Sequence, residues 1–284
     1  LNVLAAYAAA LMAALALAGG VRGDLSAFFL AQAPFADDPF TALVGKRRER
    51  RADRASRAIV ERYVLATDDR AFLFEDHVTE ARVQFLCAPD DERLDCSIDA
   101  QGPAPEIYKL FATRGPRGDV IYRNAARREV LRIASYGGAT VYWLGEGEGL
   151  AASKSFGDDP ALRLIHDEFD VALQRAQEAT KVISAAAGAT IAFDVGAAPA
   201  AEGANAAVLA DAVARAASGV KRLADDPTAA AMLARRIDRV AFATAEAPGV
   251  SLDGSVLTIQ YVPGGDIDGR PPSAAVAQFL EGSL

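Results

Sequence analysis

The stretch that most constrains this chain runs from Gly115 to Gly149, G-P-R-G-D-V-I-Y-R-N-A-A-R-R-E-V-L-R-I-A-S-Y-G-G-A-T-V-Y-W-L-G-E-G-E-G. Three short runs rich in β-branched and aromatic residues, Val120–Tyr122, Val130–Ile133 and Ala139–Leu144, are separated by clusters of Gly, Asn and charge. Consecutive antiparallel strands read this way, because such side chains fit a pleated surface and the clusters turn the chain. None of the three runs delivers a His, Cys or Ser with a partner at catalytic spacing, so the stretch speaks to fold and not to chemistry.

The same rhythm starts earlier. Tyr63–Ala66 and Ala71–Phe74 flank Thr67-Asp68-Asp69-Arg70, a hairpin-length connection, and Ile107–Ala112 follows further on. Between Arg62 and Leu144 this predicts seven or eight short strands curling toward a small barrel or sandwich-like sheet. Tyr122, Tyr136, Tyr142 and Trp143 then have two readings: an aromatic ligand platform, or cross-strand packing.

Beyond Gly149 the hydrophobic period lengthens from two toward 3.6. Asp159-Pro160 looks like an N-cap carboxylate with Pro at the first helical position, and Leu162, Ile165, Phe169, Leu173, Ala176 and Ile183 line one face as far as Gly188. A long helix over 160–187 is expected, then a strand at Thr190–Val195 and a helical stripe through Leu209, Val213, Val220 and Leu223. A shorter helix from Pro227, strands at Val240–Thr244 and Ser255–Val262, and a terminal helix near Leu280 complete the chain. The expected architecture is α+β: an antiparallel β-rich module over 62–150, followed by a helix-rich α+β module over 151–284.

Residues 1–33 precede this body. Val3–Ala18 is apolar without a charge, and at 16 residues it suits the core of an export signal better than a membrane span, which needs roughly 20. Ala16-Leu17-Ala18 and Ala31-Gln32-Ala33 are candidate cleavage sites, and a buried helix or uncleaved anchor is the alternative. The basic flank usual before such a core is missing from the sequence, which begins with Leu1, so the natural start is expected upstream or at an unusual codon. Export also accounts for the cysteines. Cys87 and Cys96, the two cysteines of the chain, flank P-D-D-E-R-L-D, a polar connection between Val83–Leu86 and the Leu94–Ile98 run, as if across a hairpin, and an oxidising compartment would join them. A zinc or redox site finds no C-x-x-C spacing and only His77 and His166 as further soft ligands, so no metal or cofactor is expected.

Charge is uneven. The arm over 34–61 ends in Lys46–Arg62, which holds eight basic and three acidic residues in a chain of net −8. Arg47, Arg50, Arg51 and Arg54 fall on one helical face. They make either a solvated segment that neutralises the acidic body or a peripheral contact for anionic lipid or envelope polymer. The overall acidity argues against nucleic acid as a partner.

Chemical candidates are sparse. His166 stands one helical turn from Asp170, and with Ser153 or Ser155 it would sketch a hydrolase of unrecognised type, although no G-x-S-x-G supports one. His77, in E-D-H-V-T-E, reads as a surface turn residue. Gly145–Gly149 carries carboxylates where a phosphate loop needs a cation, and Gly265–Gly269 lacks the later ligands of a calcium loop.

The motifs at Gly115–Asn124 and Val130–Tyr142, with P-G-V-S-L-D-G-S-V-L-T-I-Q-Y-V-P-G-G-D-I-D-G-R-P-P-S at Pro248–Ser273, resemble an uncharacterised family of exported alphaproteobacterial proteins. That resemblance implies export and assigns no reaction. The reading as a whole is an exported, periplasmic or secreted, non-enzymatic protein that binds an envelope component or another protein, with a periplasmic hydrolase using His166 as the alternative.

Overall fold

A computed structural model of the chain describes residues 59–77, 80–98, 103–145, 147–165, 168–196 and 203–284. The chain divides into two compact units, Leu1–Glu49 and Arg50–Leu284, and all described residues belong to the second. The apolar N-terminal segment and the Arg47, Arg50, Arg51 and Arg54 face lie outside the described residues.

Eight strands form a closed barrel in chain order: β1 (Val60–Leu65), β2 (Ala71–Asp76), β3 (Ala81–Phe85), β4 (Ile107–Arg114), β5 (Val120–Arg123), β6 (Glu129–Ile133), β7 (Ala139–Val141) and β8 (Leu150–Ser155). Every neighbouring pair is antiparallel, and β8 returns to β1 in register from Arg62↔Ser155 to Leu65↔Ala152. Alternation then decides which side chains enter. Tyr63, Leu65, Phe72, Phe74, Val83, Phe85, Leu110, Tyr122, Leu131 and Val141 are all buried in one cluster. An eight-stranded barrel is just wide enough for its own side chains to fill it. Here rings do much of the filling: Tyr63 stacks on Phe72 at 5.1 Å, and Phe74 meets Tyr122 edge-on at 4.8 Å. The barrel runs 60–155 rather than the expected 62–150. Its last strand, L-A-A-S-K-S, has no β-branched or aromatic residue and is held by ladders on both edges.

The Leu94–Ile98 run, expected as the second arm of a cysteine hairpin, is instead a single helical turn, α1 (Leu94–Ser97), within the long β3–β4 connection. The expected helix over 160–187 begins later, as α2 (Phe169–Ala187), and ends at Gly188 in the left-handed region. The first residues of the expected helix have other partners. Asp159 receives Arg62 Nε at 3.0 Å, the Leu162 N–H donates to Glu75 at 2.9 Å, and the Leu164 N–H donates to Asp266 at 2.8 Å. Backbone donors bound by distant carboxylates do not need a helix to satisfy them.

The remainder packs helices on a four-stranded sheet: β9 (Ala192–Asp194), α3 (Ala204–Ala224), α4 (Pro227–Arg236), β10 (Arg239–Thr244), β11 (Gly249–Asp253), β12 (Val256–Tyr261) and α5 (Ser273–Ser283). Strand order is β11-β12-β10-β9; β10 lies parallel to both β9 and β12, and β11 is antiparallel at the edge. The alanine-rich α3 is buried along most of its length and forms the centre of this second core. Among the described residues no helix is long and apolar enough to cross a membrane.

Barrel and α+β region meet through charge as well as apolar contact. Leu73, Ile107, Leu162 and Ile267 form a small cluster from both sides. Beside it, Arg215 of α3 is fully buried, with Nη1 3.4 Å from Asp95 and 3.8 Å from Glu106, and Nη2 donating to the Ala104 carbonyl at 2.6 Å. Its Nε lies 3.2 Å from Asp211, an ion pair without a hydrogen bond. Arg270 donates to Asp211 at 2.5 Å and to the Ile107 carbonyl at 3.2 Å, while Glu106 accepts the Ser273 N–H at 3.1 Å and the Ser273 hydroxyl. Burial alone would raise the Asp211 pKa, but attraction from Arg215 and Arg270 outweighs it and holds the carboxyl below the usual range. Burial likewise works against the charged form of Arg215, and its carboxylates reverse the effect and raise its pKa.

Candidate functional site

The β4–β5–β6 wall of the barrel gathers arginines that the rest of the fold does not use. Among the described residues Arg62, Arg82, Arg93 and Arg132 each hold a carboxylate partner. No carboxylate partner is found for Arg114, Arg117, Arg127 or Arg128, and Arg123 donates only to the Thr113 hydroxyl, at 2.6 Å. Nearby acids are occupied: Glu129 pairs with Arg132 at 3.0 Å, and Asp119 accepts the Ser135 N–H at 3.3 Å.

Strand register explains the grouping. Phe111 of β4 stands opposite Arg123 of β5, so both point outward, and Phe111 is 44% exposed. A hollow of about 510 Å³ opens here, lined by Phe111, Thr113, Arg123, Asn124 and Arg127. The turns at the two ends of β5 extend the strip. Arg117 and Arg127 sit at φ 60° and 61°, left-handed positions that cost an L-residue roughly 1–2 kcal/mol where Gly would cost none. Tyr136, 88% exposed on the β6–β7 turn, lies at the same end as Arg117. The result is a cationic wall with apolar spots on a net-acidic chain.

The residues singled out from sequence are placed as follows. Tyr122 and Trp143 are 3% and 5% exposed inside the barrel, Trp143 packing edge-on against Phe85 at 4.7 Å, so neither offers an open ring to a ligand. Tyr142 is half-buried on the wall. Arg70 lies 4.9 Å from the Trp143 ring centroid, a cation–π contact at the barrel end. His166 lies outside the described residues, while Asp170 is exposed in the first turn of α2. Ser153 and Ser155 belong to β8, opposite Val64 and Arg62.

Cys87 and Cys96 form a disulfide, with Cα atoms 5.6 Å apart. Asp91 brings a carboxylate oxygen close enough for the three residues to resemble a metal-ligand group. The arrangement fits a metal poorly, since ligation needs thiolates and the disulfide consumes both, while Asp91 is engaged by Arg93 at 2.8 Å. His77, read from the sequence as a surface turn residue, is exposed and donates its backbone N–H to the Glu80 carbonyl in the turn after β2, and it also places Nε2 3.3 Å from the buried Glu75 carboxylate. Their spacing of two at a strand end, which puts both on one face, was the available cue to that contact.

A closed, packed barrel joined to a mixed α/β sheet defines an α+β protein whose accessible features are charged surfaces and clefts. The chain belongs to the family described as Domain of unknown function (DUF4908), whose model matches residues 39–280. No curated protein and no solved structure matches it.

Proposed function

We propose that this protein is exported to the periplasm or beyond and acts there without catalysis, by binding an anionic component of the cell envelope. The observation that carries the reading is the strip of arginines at positions 114, 117, 123, 127 and 128, none with a carboxylate partner among the described residues, near half-exposed Phe111 on a chain of net charge −8. In an acidic protein, guanidiniums left over after the ion pairs are made draw phosphate or carboxylate groups by long-range attraction and then hold them bidentately. The Arg-rich segment Lys46–Arg62, with eight basic and three acidic residues, suits the same class of anionic partner. The disulfide supports export, because such bonds persist in oxidising compartments. So does the resemblance to exported alphaproteobacterial proteins, together with the apolar run at Val3–Ala18.

Co-sedimentation with phosphatidylcholine vesicles, with and without phosphatidylglycerol, tests the contact across a salt series, with soluble polyphosphate as a competing polymer. Each Arg near an anionic surface contributes about 1 kcal/mol, so Arg117→Ala with Arg127→Ala should weaken binding roughly 30-fold. Binding that ignores salt, or that survives both substitutions unchanged, sinks the proposal. Sequencing the mature N-terminus from fractionated cells tests export separately.

A further inference from the structure

A second cleft, of about 400 Å³, opens between the barrel and the α+β region. From the barrel it takes Glu75, His77 and Arg82; the segment after β8 supplies Arg163 and Leu164; the α+β side gives Ala204 and Ala207 from the start of α3, with Gly264 and Asp266. Its volume lies at the small end of the range for small-molecule sites, roughly 300–1,000 Å³, too little for a polymer.

The donor and acceptor count decides what would bind. Both carboxylates are committed. Glu75 is 2% exposed and accepts the Leu162 N–H at 2.9 Å on one oxygen, with His77 Nε2 at 3.3 Å on the other. Asp266 accepts the Leu164 N–H at 2.8 Å and Arg82 Nη1 at 2.9 Å. The donors are not exhausted. Arg82 Nε is buried without a partner, and Arg163 carries a guanidinium with no carboxylate partner among the described residues. No side chain caps α3, whose positive end borders the same space. Acceptors that are spent and donors that are left over select a ligand rich in acceptors.

We infer that this cleft binds a small, multiply charged oxyanion, a phosphorylated or polycarboxylate compound, with Arg163 as its principal anchor and Arg82 Nε as a secondary donor. Leu164, Ala204 and Ala207 supply an apolar wall for the body of such a compound. This site is separate from the outer barrel wall and shares no residue with it.

Titration calorimetry of the full chain with inorganic phosphate, pyrophosphate and citrate, at constant ionic strength, tests the inference and distinguishes phosphate from carboxylate recognition. Saturable one-site binding of at least one probe is expected. Arg163 is exposed and outside every ion pair described, so Arg163→Ala should fold normally and weaken binding about tenfold or more, with Arg163→Lys in between. Arg117→Ala with Arg127→Ala, which disables the outer wall, should leave binding unchanged. If none of the three probes saturates, or Arg163→Ala binds as tightly as the parent, the inference is wrong, whatever the vesicle experiment shows.

Discussion

Arg215→Met removes the guanidinium at the centre of the buried charge cluster and keeps most of its volume. In the parent, Arg215 faces Asp95, Glu106 and Asp211 and donates to the Ala104 carbonyl. In the variant Asp211 and Glu106 retain Arg270, but Asp95 loses its fully buried cationic neighbour and the Ala104 carbonyl loses its donor. Stranding buried charge in this way costs about 3–5 kcal/mol. For a folded body of this size 1 kcal/mol corresponds to roughly 2–4 °C, so the melting temperature should fall by about 6–20 °C. Urea unfolding at neutral pH measures the difference directly. Adding Asp95→Asn to Arg215→Met should recover about 1–3 kcal/mol, because the stranded charge is then gone. The pH profile gives a second readout. A carboxyl whose folded pKa is depressed, as for Asp211, contributes stability that is present above its unfolded pKa and lost as pH falls through the folded value. With the Arg215 guanidinium removed, Asp211 should be depressed less, so the stability lost on acidification should be smaller in Arg215→Met and the loss should be complete at a higher pH. A loss under about 1 kcal/mol with an unshifted acid limb would mean that water reaches the cluster, and the reasoning would fail.

Two further predictions concern the same junction. The disulfide closes a short loop, Cys87 and Cys96 being nine positions apart, so reduction should cost about 2.5 kcal/mol by loop-closure entropy. Because Asp95 adjoins Cys96, reduction should cost less in Arg215→Met than in the parent, and full additivity in urea melts would count against that coupling. Gly219→Ala sets two effects against each other: helix propensity favours Ala by about 1 kcal/mol, yet a Cβ there would meet the Ser273 carbonyl oxygen at 2.7 Å and Val276 Cβ at 2.7 Å. Overpacking should win, and a variant more stable than the parent by thermal melt would show that α3 and α5 separate easily.

What could be read from the sequence follows from where each segment finds its partners. The alternations Tyr63/Leu65, Phe72/Phe74 and Val83/Phe85 announce strands because their buried faces are built locally, residue by residue. The β8 segment has no such pattern, since it is a strand only because β1 and β7 stand on either side of it. The same holds for β11, whose edge position needs little apolar content and whose Asp253-Gly254 turn, with Gly254 at φ 56°, was its best local cue. Asp-Asp-Pro shows the limit of local chemistry. At Asp226-Pro227 the carboxylate caps α4 by accepting the Thr228 and Ala229 N–H groups at 2.8 and 2.9 Å. At Asp159-Pro160 the same pair of residues starts no helix, because Arg62, 97 positions away, takes the carboxylate. The candidate sites were still less legible. The unpartnered arginines on the barrel wall stand out only once the carboxylates that neutralise the other arginines are known, and the cleft is assembled from segments far apart in sequence.

The segment after β12 shows why the two halves act as one body. Asp266, at φ 49°, binds Arg82 and the Leu164 N–H; Ile267 enters the apolar cluster with Leu73, Ile107 and Leu162; Asp268 receives Lys109 at 3.1 Å. Arg270 and Ser273 then reach Asp211 and Glu106. These successive contacts of different chemistry fix both the distance and the rotation of the barrel on its neighbour, where a flat apolar patch of equal area would allow sliding. Directional bonds cost desolvation that apolar contacts do not, so they add little net stability, and what they supply is a single docking geometry. That geometry is also what makes the cleft, since Glu75, His77 and Arg82 come from one half and Ala204, Gly264 and Asp266 from the other. A ligand held there would touch both halves through Arg82 and the start of α3, and its binding energy would add to the docking that the ionic cluster orients.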